Sequence, residues 1–502
     1  MPLRQQETKS AVRLPSVLVI GFTGHRDLAD EPKCRALICD YLRERKAATS
    51  GIIYGVSSAA AGGDLLFAES CIELEIPLRV LLPLPQEYFQ KDFDTATWLR
   101  AAQVMSKAVS VDVTGNHELR EEGYYECGIE TVQQSQLMIA LWDGEPSRGM
   151  GGTQEIVAFA NNMGRPVVWF HSVTGAMQVF NKPALQKLLH VHDPELDFLN
   201  CLPDLGVMLS TDSPAELAKA WFEKIDKNAS RLAPQVRRLA SIPIVYTAAA
   251  AFFSGAGLQM PHPETWLAIG TALGITAAAL PVALRLSQRQ ALWARSRTAA
   301  EVCRSVLALW NTPVVDEVIG PEVIPELAGM LMSLKLIKAL DGSRSGISIG
   351  EFKARYRKER VLDQLEHFSQ HATQSAHEAR RYRVVSLICI GLAILIAAGL
   401  FLISAEFKNV HLLSGKRWLT VAVTALFQLA TISGAMLIVK DCKRRQQRYW
   451  ELHNWLKEWD TELAALRTWP TVLKVVCRIE RALLVELLEW KSLVQNVKLP
   501  RK

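Results

Sequence analysis

VVSLICIGLAILIAAGLFLISA, residues 384–405, is a run of 22 positions without a formal charge. A hydrocarbon layer about 30 Å thick takes roughly 20 apolar residues at helical rise, so this run is long enough to cross a membrane. Three more runs match it: LASIPIVYTAAAAFFSGAGLQMPHP (239–263), TWLAIGTALGITAAALPVAL (265–284) and WLTVAVTALFQLATISGAMLIV (418–439). They form two close pairs, as two transmembrane hairpins would. The alternative is a soluble protein that buries all four in one large core.

Flanking charge favours the membrane and sets the orientation. Lys219, Lys224, Lys227, Arg231, Arg237 and Arg238 precede the first run, and Arg285, Arg289, Arg295 and Arg297 follow the second. Arg380, Arg381 and Arg383 precede the third, and Lys440, Lys443, Arg444, Arg445 and Arg448 follow the fourth. Basic flanks mark the cytoplasmic side, so both hairpins are expected to dip in and return, with both termini cytoplasmic. The first connector (259–264) has no Lys or Arg, whereas the second carries Lys408, Lys416 and Arg417 and gives a weaker signal. The opening MPLRQQETKSAVRLP lacks the apolar segment of a secretory signal.

Composition adds little. A chain of 502 residues suggests several domains, and its formal charge of +6 is largely explained by the juxtamembrane bases, so nucleic acid is not an expected partner. The nine cysteines include no CxxC pair and read as ordinary thiols of a reducing compartment.

Upstream of the spans, short β-branched or aliphatic runs alternate with helical patterns. The runs are VLVIGF from Val17, GIIYGV from Gly51, PLRVLLP from Pro77, AVSVDV from Ala108, LMIALW from Leu137 and PVVWF from Pro166. Such alternation predicts a Rossmann-like α/β domain, a parallel sheet with helices on both faces. The whole chain then reads as that domain followed by an all-α membrane region with four transmembrane helices in two hairpins. Segment by segment, 15–175 is the sheet domain and 176–238 a connector with a juxtamembrane helix. Next come 239–284 as the first hairpin, 285–383 as a cytoplasmic helical region, 384–439 as the second hairpin and 440–502 as a C-terminal cytoplasmic helical region.

In open sheets of this class ligands bind beyond the C-terminal ends of the strands. The first strand ends in Gly21, Phe22, Thr23, Gly24, His25 and Arg26, where glycine permits close backbone approach and Arg26 offers a planar fork suited to phosphate. The second ends in Ser57, Ser58, then Gly62, Gly63 and Asp64, and enters a helix carrying Glu69. The fifth ends in Asp143 and Gly144, after which Gly151, Gly152, Thr153 and Glu155 open another helix. Amide donors there, with Thr153 as N-cap, would make an anion site. Each glycine turn alone could be purely structural, and Glu155 could simply favour the positive end of its helix. Neither GxGxxG nor GxxxxGK[ST] is present, which disfavours a conventional dehydrogenase or ATPase.

GFTGHRDL (21–28), SSAAAGGDLLFAE (57–69), VLLPLPQEYFQKDF (80–93) and QLMIALWDGEPSRGMGGTQEIVAFANNMGRPVVWF (136–170) together resemble the SLOG superfamily. These are Rossmann-like nucleotide-binding domains related to the Lonely Guy phosphoribohydrolases and the DNA-processing protein A family. The resemblance covers residues 15–171 in the family's motif order. It implies either cleavage of a nucleotide N-glycosidic bond or binding of a nucleotide signal. The enzymes carry PGGxGTxxE; with its Gly-Thr on Gly152 and Thr153, Arg148 falls at the Pro, Met150 at a Gly and Ile156 at the catalytic Glu. The nearby carboxylate, Glu155, is one residue early, and one residue turns a helical side chain by roughly 100°. That departure favours sensing over hydrolysis.

Sensors of this superfamily are often fused to small transmembrane effectors, including a two-span type named SLATT, which the hairpins resemble. Each hairpin follows a polar helical approach and leads into a basic, Trp-containing helix, the pattern of a diverged tandem repeat. The resemblance implies a bacterial inner-membrane effector of antiphage defence by abortive infection. It would bind a nucleotide-derived signal, a cyclic oligonucleotide or an ADP-ribose derivative, made by a linked synthase, then assemble as a homo-oligomer and permeabilise the membrane. No other cofactor is expected. In that scheme Arg26 and the amides of residues 151–153 hold phosphate, while Asp64, Glu69, Asp143 or Glu155 reads ribose hydroxyls. Two alternatives stay open: a membrane-anchored nucleotide N-glycosidase using Glu155, and a constitutive channel with a structural cap.

The spans contain no carboxylate or Lys of the kind an ion-coupled transporter would bury. Gly270, Gly274 and Ala278 form a small-xxx-small face, and Gly255 and Gly257 add thin surface for close helix packing. Thr420, Thr424, Gln428 and Thr431 form one stripe of the fourth span, either lining a wet path or bonding to neighbouring helices. Val472, Val476, Ile479, Leu483, Leu487, Trp490 and Val494 have the spacing of a packed amphipathic helix. His367 and His371, one turn apart, and His190 and His192 lack a neighbouring acid or Cys that would complete a metal set, so no metal is expected. DGSRSGISIG from Asp341 reads as a turn region.

Overall fold

The computed structural model describes residues 12–115, 120–147, 149–190, 193–209, 213–286, 288–312, 324–341, 347–406 and 413–495. Arg148, His192, Lys408 and residues 342–346 of the turn region lie outside the described residues, as do the side chains of His190, Arg237, Arg285, Lys416, Trp490 and Val494. The chain divides into two compact units.

All six expected strands form in the first unit: β1 (Val17–Gly24), β2 (Ile52–Ser57), β3 (Leu78–Leu82), β4 (Ser110–Val113), β5 (Leu137–Trp142) and β6 (Val167–His171). A seventh, β7 (Met177–Phe180), pairs antiparallel with β6. Its MQVF is half-buried to exposed and presents no apolar run, which is why the pattern of the sequence passes over it. The order is β4-β3-β2-β1-β5-β6-β7, parallel except at β7. Around the sheet lie α1 (Glu31–Ala48), α2 (Gly63–Glu73), α3 (Gln86–Phe89), α4 (Thr95–Lys107), α5 (Arg120–Gln134), α6 (Thr153–Asn162), α7 (Lys182–His190) and α8 (Pro194–Asn200). Period-two alternation splits β1 between two cores. Leu18, Ile20 and Phe22 join the α1, α2 and α4 side with Ile38, Leu66 and Val104, whereas Val19 faces Cys127 of α5. The chain runs outward from β1 through β4 and returns beside β1 as β5, so the topological switch point lies between β1 and β5.

The remaining helices are α9 (Pro214–Gly257), α10 (Pro263–Leu286), α11 (Arg289–Ala308), α12 (Ala328–Leu340), α13 (Ile349–Tyr356), α14 (Asp363–Glu406), α15 (Leu413–Val439), α16 (Cys442–Ala465) and α17 (Trp469–Gln495). One of them, α12, belongs to the first unit although it lies within the 285–383 segment. Leu336, 1% exposed, packs among Val19, Tyr54, Val56, Leu81 and Cys127, so α12 covers the sheet. A Cβ on Gly329 would lie 1.8 Å from Asp193 Oδ2, and only glycine admits that approach.

In the second unit, α9, α10, α14 and α15 are long and apolar enough to cross a membrane. Their apolar side chains point outward: Leu387 and Leu395 are 69% exposed, Phe401 75% and Ile438 78%. A soluble core would have buried them. The hairpins share a plan, with a 44-residue helix α9 matched by a 44-residue α14. Each second span then meets a left-handed residue, Gln288 at φ 51° and Asp441 at φ 45°, before the basic helices α11 and α16. Gly270 faces Ser254 so closely that a Cβ would lie 2.3 Å from Oγ, so this glycine serves packing inside the first hairpin.

Outside the spans, α17 buries Val472, Val476, Ile479 and Leu483 with Phe352, Tyr356, Phe368, Leu452 and Leu456, as its spacing predicts. Residues Arg357–Leu362 wind as a π-helix between α13 and α14 and place Arg360 in this interior. Arg360 Nη2 donates to Glu480 Oε2 at 2.8 Å, and Tyr356 Oη donates to Glu480 Oε1 at 2.7 Å. All nine cysteines are free thiols.

Candidate functional site

The first loop past the switch point is built on backbone contacts that demand glycine. Gly62 has φ +88°, and a Cβ there would lie 2.2 Å from the Arg26 carbonyl oxygen. Gly63 lies against Gly24, with 3.3 Å from its Cβ position to the Gly24 Cα, and the Gly63 amide donates to the His25 carbonyl at 2.8 Å. The β1 and β2 loops therefore touch backbone to backbone.

Asp64 fastens them. Its Oδ2 accepts the Gly24 amide at 3.2 Å and its Oδ1 accepts the Ser58 hydroxyl at 2.9 Å, while Ser57 Oγ donates to the Asp64 carbonyl at 3.1 Å. Burial pushes the Asp64 carboxyl up to about 7, against the opposing pull of Ser58, the Gly24 amide and the Arg26 charge. It can thus exchange a proton near neutral pH.

Across the switch point, His25 Nε2 lies 2.9 Å from Asp143 Oδ1, and the same oxygen accepts the Glu145 amide at 3.0 Å. Burial pushes the Asp143 carboxyl up, but the Glu145 amide and His25 outweigh it and hold the carboxyl below its ordinary value. Arg26 is exposed, and its guanidinium stacks over the Tyr124 ring at 4.9 Å. Tyr124 in turn donates its hydroxyl to Asp92. Neither partner carried a motif that marks a site, although Asp92 lies inside the 80–93 stretch.

Beyond β5, Gly152 is the N-cap of α6 with no side-chain bond, and Thr153 is already the first helical residue and buried. The expected Thr153 cap is corrected accordingly. Glu155 supplies the capping interaction instead, its Oε2 accepting the Gly151 amide at 2.8 Å. That amide is engaged, whereas those of Thr153 and Gln154 donate no hydrogen bond among the described residues. Gly151 at φ +78° presses on Tyr125, and a Cβ on Gly149 would meet nothing within 4 Å. Ile156, at the position of the family's catalytic Glu, is 1% exposed and packs on Gly128 in the core.

The structure thus gathers Gly24, His25, Arg26, Ser57, Ser58, Gly62, Gly63, Asp64, Asp143 and Gly144 around the switch point, with Thr23 at the end of β1. Two predicted residues serve elsewhere. Gly21 packs against the segment that joins α5 to β5, where a Cβ would lie 2.2 Å from Ser135 Oγ. Glu69 faces α1 and α4, accepting Arg100 Nε at 2.8 Å and Arg35 Nη1 at 2.9 Å. Its carboxylate is consumed by cations, so a ribose-reading role does not fit.

In the fourth span, Thr424 donates to the Thr420 carbonyl at 3.0 Å and Thr431 to the Phe427 carbonyl at 2.9 Å. These hydroxyls return to their own helix rather than reaching a neighbour. The His367 and His371 rings lie 4.3 Å apart beside Tyr449. Compared with known proteins, the chain matches no family model, no curated protein and no solved structure.

Proposed function

We propose that this chain is a SLOG-like sensor of a nucleotide-derived signal joined to a SLATT-like membrane effector, and that ligand binding shifts the four-span module toward a membrane-permeabilising assembly. The observation that carries the reading is the placement of Arg26, His25, Asp64 and Asp143 at the β1/β5 switch point, on the same chain as four spans. The cationic fork and the open amides of Thr153 and Gln154 suit phosphate, and Asp143 with His25 suits hydroxyl groups. The buried Ile156, in place of a catalytic carboxylate, favours binding over hydrolysis. Coupling is a population shift, so the ligand must bind the permeabilising state more tightly than the closed one. In this reading the protein resides in a bacterial inner membrane, with both termini cytoplasmic, and acts in antiphage defence.

The test incubates purified full-length protein with cyclic dinucleotides and ADP-ribose derivatives, followed by mass spectrometry and by dye release from liposomes. Retained intact nucleotide with nucleotide-dependent release supports sensing. Conversion of the nucleotide would establish a glycosidase instead, and release indifferent to every nucleotide would leave a constitutive channel.

A further inference from the structure

Gln428 is the eleventh of the 22 residues in the 418–439 run, which puts its carboxamide at the middle of the span. Unlike Thr424 and Thr431, it makes no hydrogen bond among the described residues. In hydrocarbon there is no water to compensate a primary amide, so a partner must come from elsewhere.

Its own hairpin does not provide one. The buried positions of α15 are Ala430 and Ser433, and Ser386 of α14 bonds to the Ala430 carbonyl at 3.5 Å. At 100° per residue, Gln428 lies about 140° to 160° around the helix from these residues. It therefore faces away from α14. One turn earlier, Thr424 lies 3.5 Å from the Cβ position of Gly255 in α9, but Gln428 gains no bond there.

A water column is a poorer match than a protein surface. Val421, Ala425, Ile432 and Ala435 lie within about 60° of Gln428 on the same face, and so do Thr424 and Thr431, whose hydroxyl protons are already donated within their own helix. The amide thus has small residues on either side and little polar surface to hold a chain of water. Small residues let a second helix approach closely, and a carboxamide, carrying both donor and acceptor, can pair with its own copy.

We propose that Gln428 is the point at which the fourth spans of two copies of this chain meet, carboxamide to carboxamide. The inference rests on α15 crossing a membrane and does not depend on the nucleotide reading, because its test uses no nucleotide. Full-length Gln428→Cys and Leu429→Cys are oxidised in native membranes beside the parent protein, which controls for its own thiols. Gln428→Leu and Gln428→Asn are sized in nanodiscs. Leu429, 50% exposed but turned by about 100°, reports random collision. The expected result is a disulfide dimer at position 428 but not at 429, at least tenfold weaker association for Gln428→Leu, and retained association for Gln428→Asn. Equal cross-linking at both positions or unchanged association of Gln428→Leu would overturn it. So would rapid labelling of the Gln428→Cys protein by a membrane-impermeant maleimide, beyond that of the parent and without cross-linking. That last outcome would place water there instead.

Discussion

His25 Nε2 and Asp143 Oδ1, 118 positions apart in the chain, lie 2.9 Å from each other and tie the C-terminal ends of β1 and β5 together. Asp143→Asn should cost about 1 to 2 kcal/mol of stability, as expected for losing a charge-assisted hydrogen bond. Because the Asp143 carboxyl is held below its ordinary value, its contribution is present above the unfolded-state range and disappears as pH falls through the folded value. Thermal unfolding of wild type and Asp143→Asn should therefore converge in acid. Curves that stay equally far apart at pH 3 and pH 7 would refute the role.

Asp64 has the opposite sign. Its carboxyl is raised to about 7 from an ordinary 3.8, so folding favours the protonated form and stability falls as pH rises between those values. The shift corresponds to roughly 4 kcal/mol across that window. Asp64→Asn, neutral throughout, should flatten this dependence in unfolding measured from pH 4 to 8.

Arg26 and Glu69 should separate ligand binding from folding. Arg26→Ala removes an exposed cation and should lower nucleotide retention about tenfold or more with under 1 kcal/mol of stability change. Glu69→Gln weakens the tie to Arg35 and Arg100 and should cost about 2 kcal/mol with retention unchanged. Equilibrium dialysis and thermal unfolding on the same samples read both.

Arg360 and Glu480 are 4% and 0% exposed. Glu480→Leu leaves the buried guanidinium with only a longer ion pair, 3.8 Å to Glu301, and should cost about 3 to 5 kcal/mol. The double variant Arg360→Met with Glu480→Leu should recover most of that loss. Chemical unfolding of the full chain in detergent measures both, and a double variant as unstable as the single one would contradict the pair's assignment.

Leu336→Ala should cost about 2 to 4 kcal/mol, because it opens a cavity against Val19, Val56 and Leu81. Amide exchange should rise in β1 and α12 together, whereas a rise confined to α12 would show that the helix does not support the sheet.

The strands and spans were legible because their signals are local. β1 to β6 coincide with six apolar runs, and the four spans with four uncharged stretches. β7 carried no such signal, since an antiparallel edge strand can be made of exposed residues such as Met177 and Gln178. At the site, glycine-rich strand ends pointed to the right edge of the sheet, but the local pattern gave Glu69 and Glu155 the same standing as Asp64. Only packing distinguishes a carboxylate held by Arg35 and Arg100, or by the Gly151 amide, from one that clasps the Gly24 amide and Ser58.

By itself, the sequence determined six of the seven strands, which helices are apolar enough to span a membrane, and where glycine frees the backbone. Those properties depend on periodicity, length and the absence of a side chain, all readable within about 20 residues. Tertiary structure decided that His25 meets Asp143, that α12 returns to cover the sheet, and that among the described residues no neighbouring helix offers Gln428 a hydrogen bond. These relationships depend on distances between residues far apart in the chain or on which face of a helix is already occupied, and local composition fixes neither.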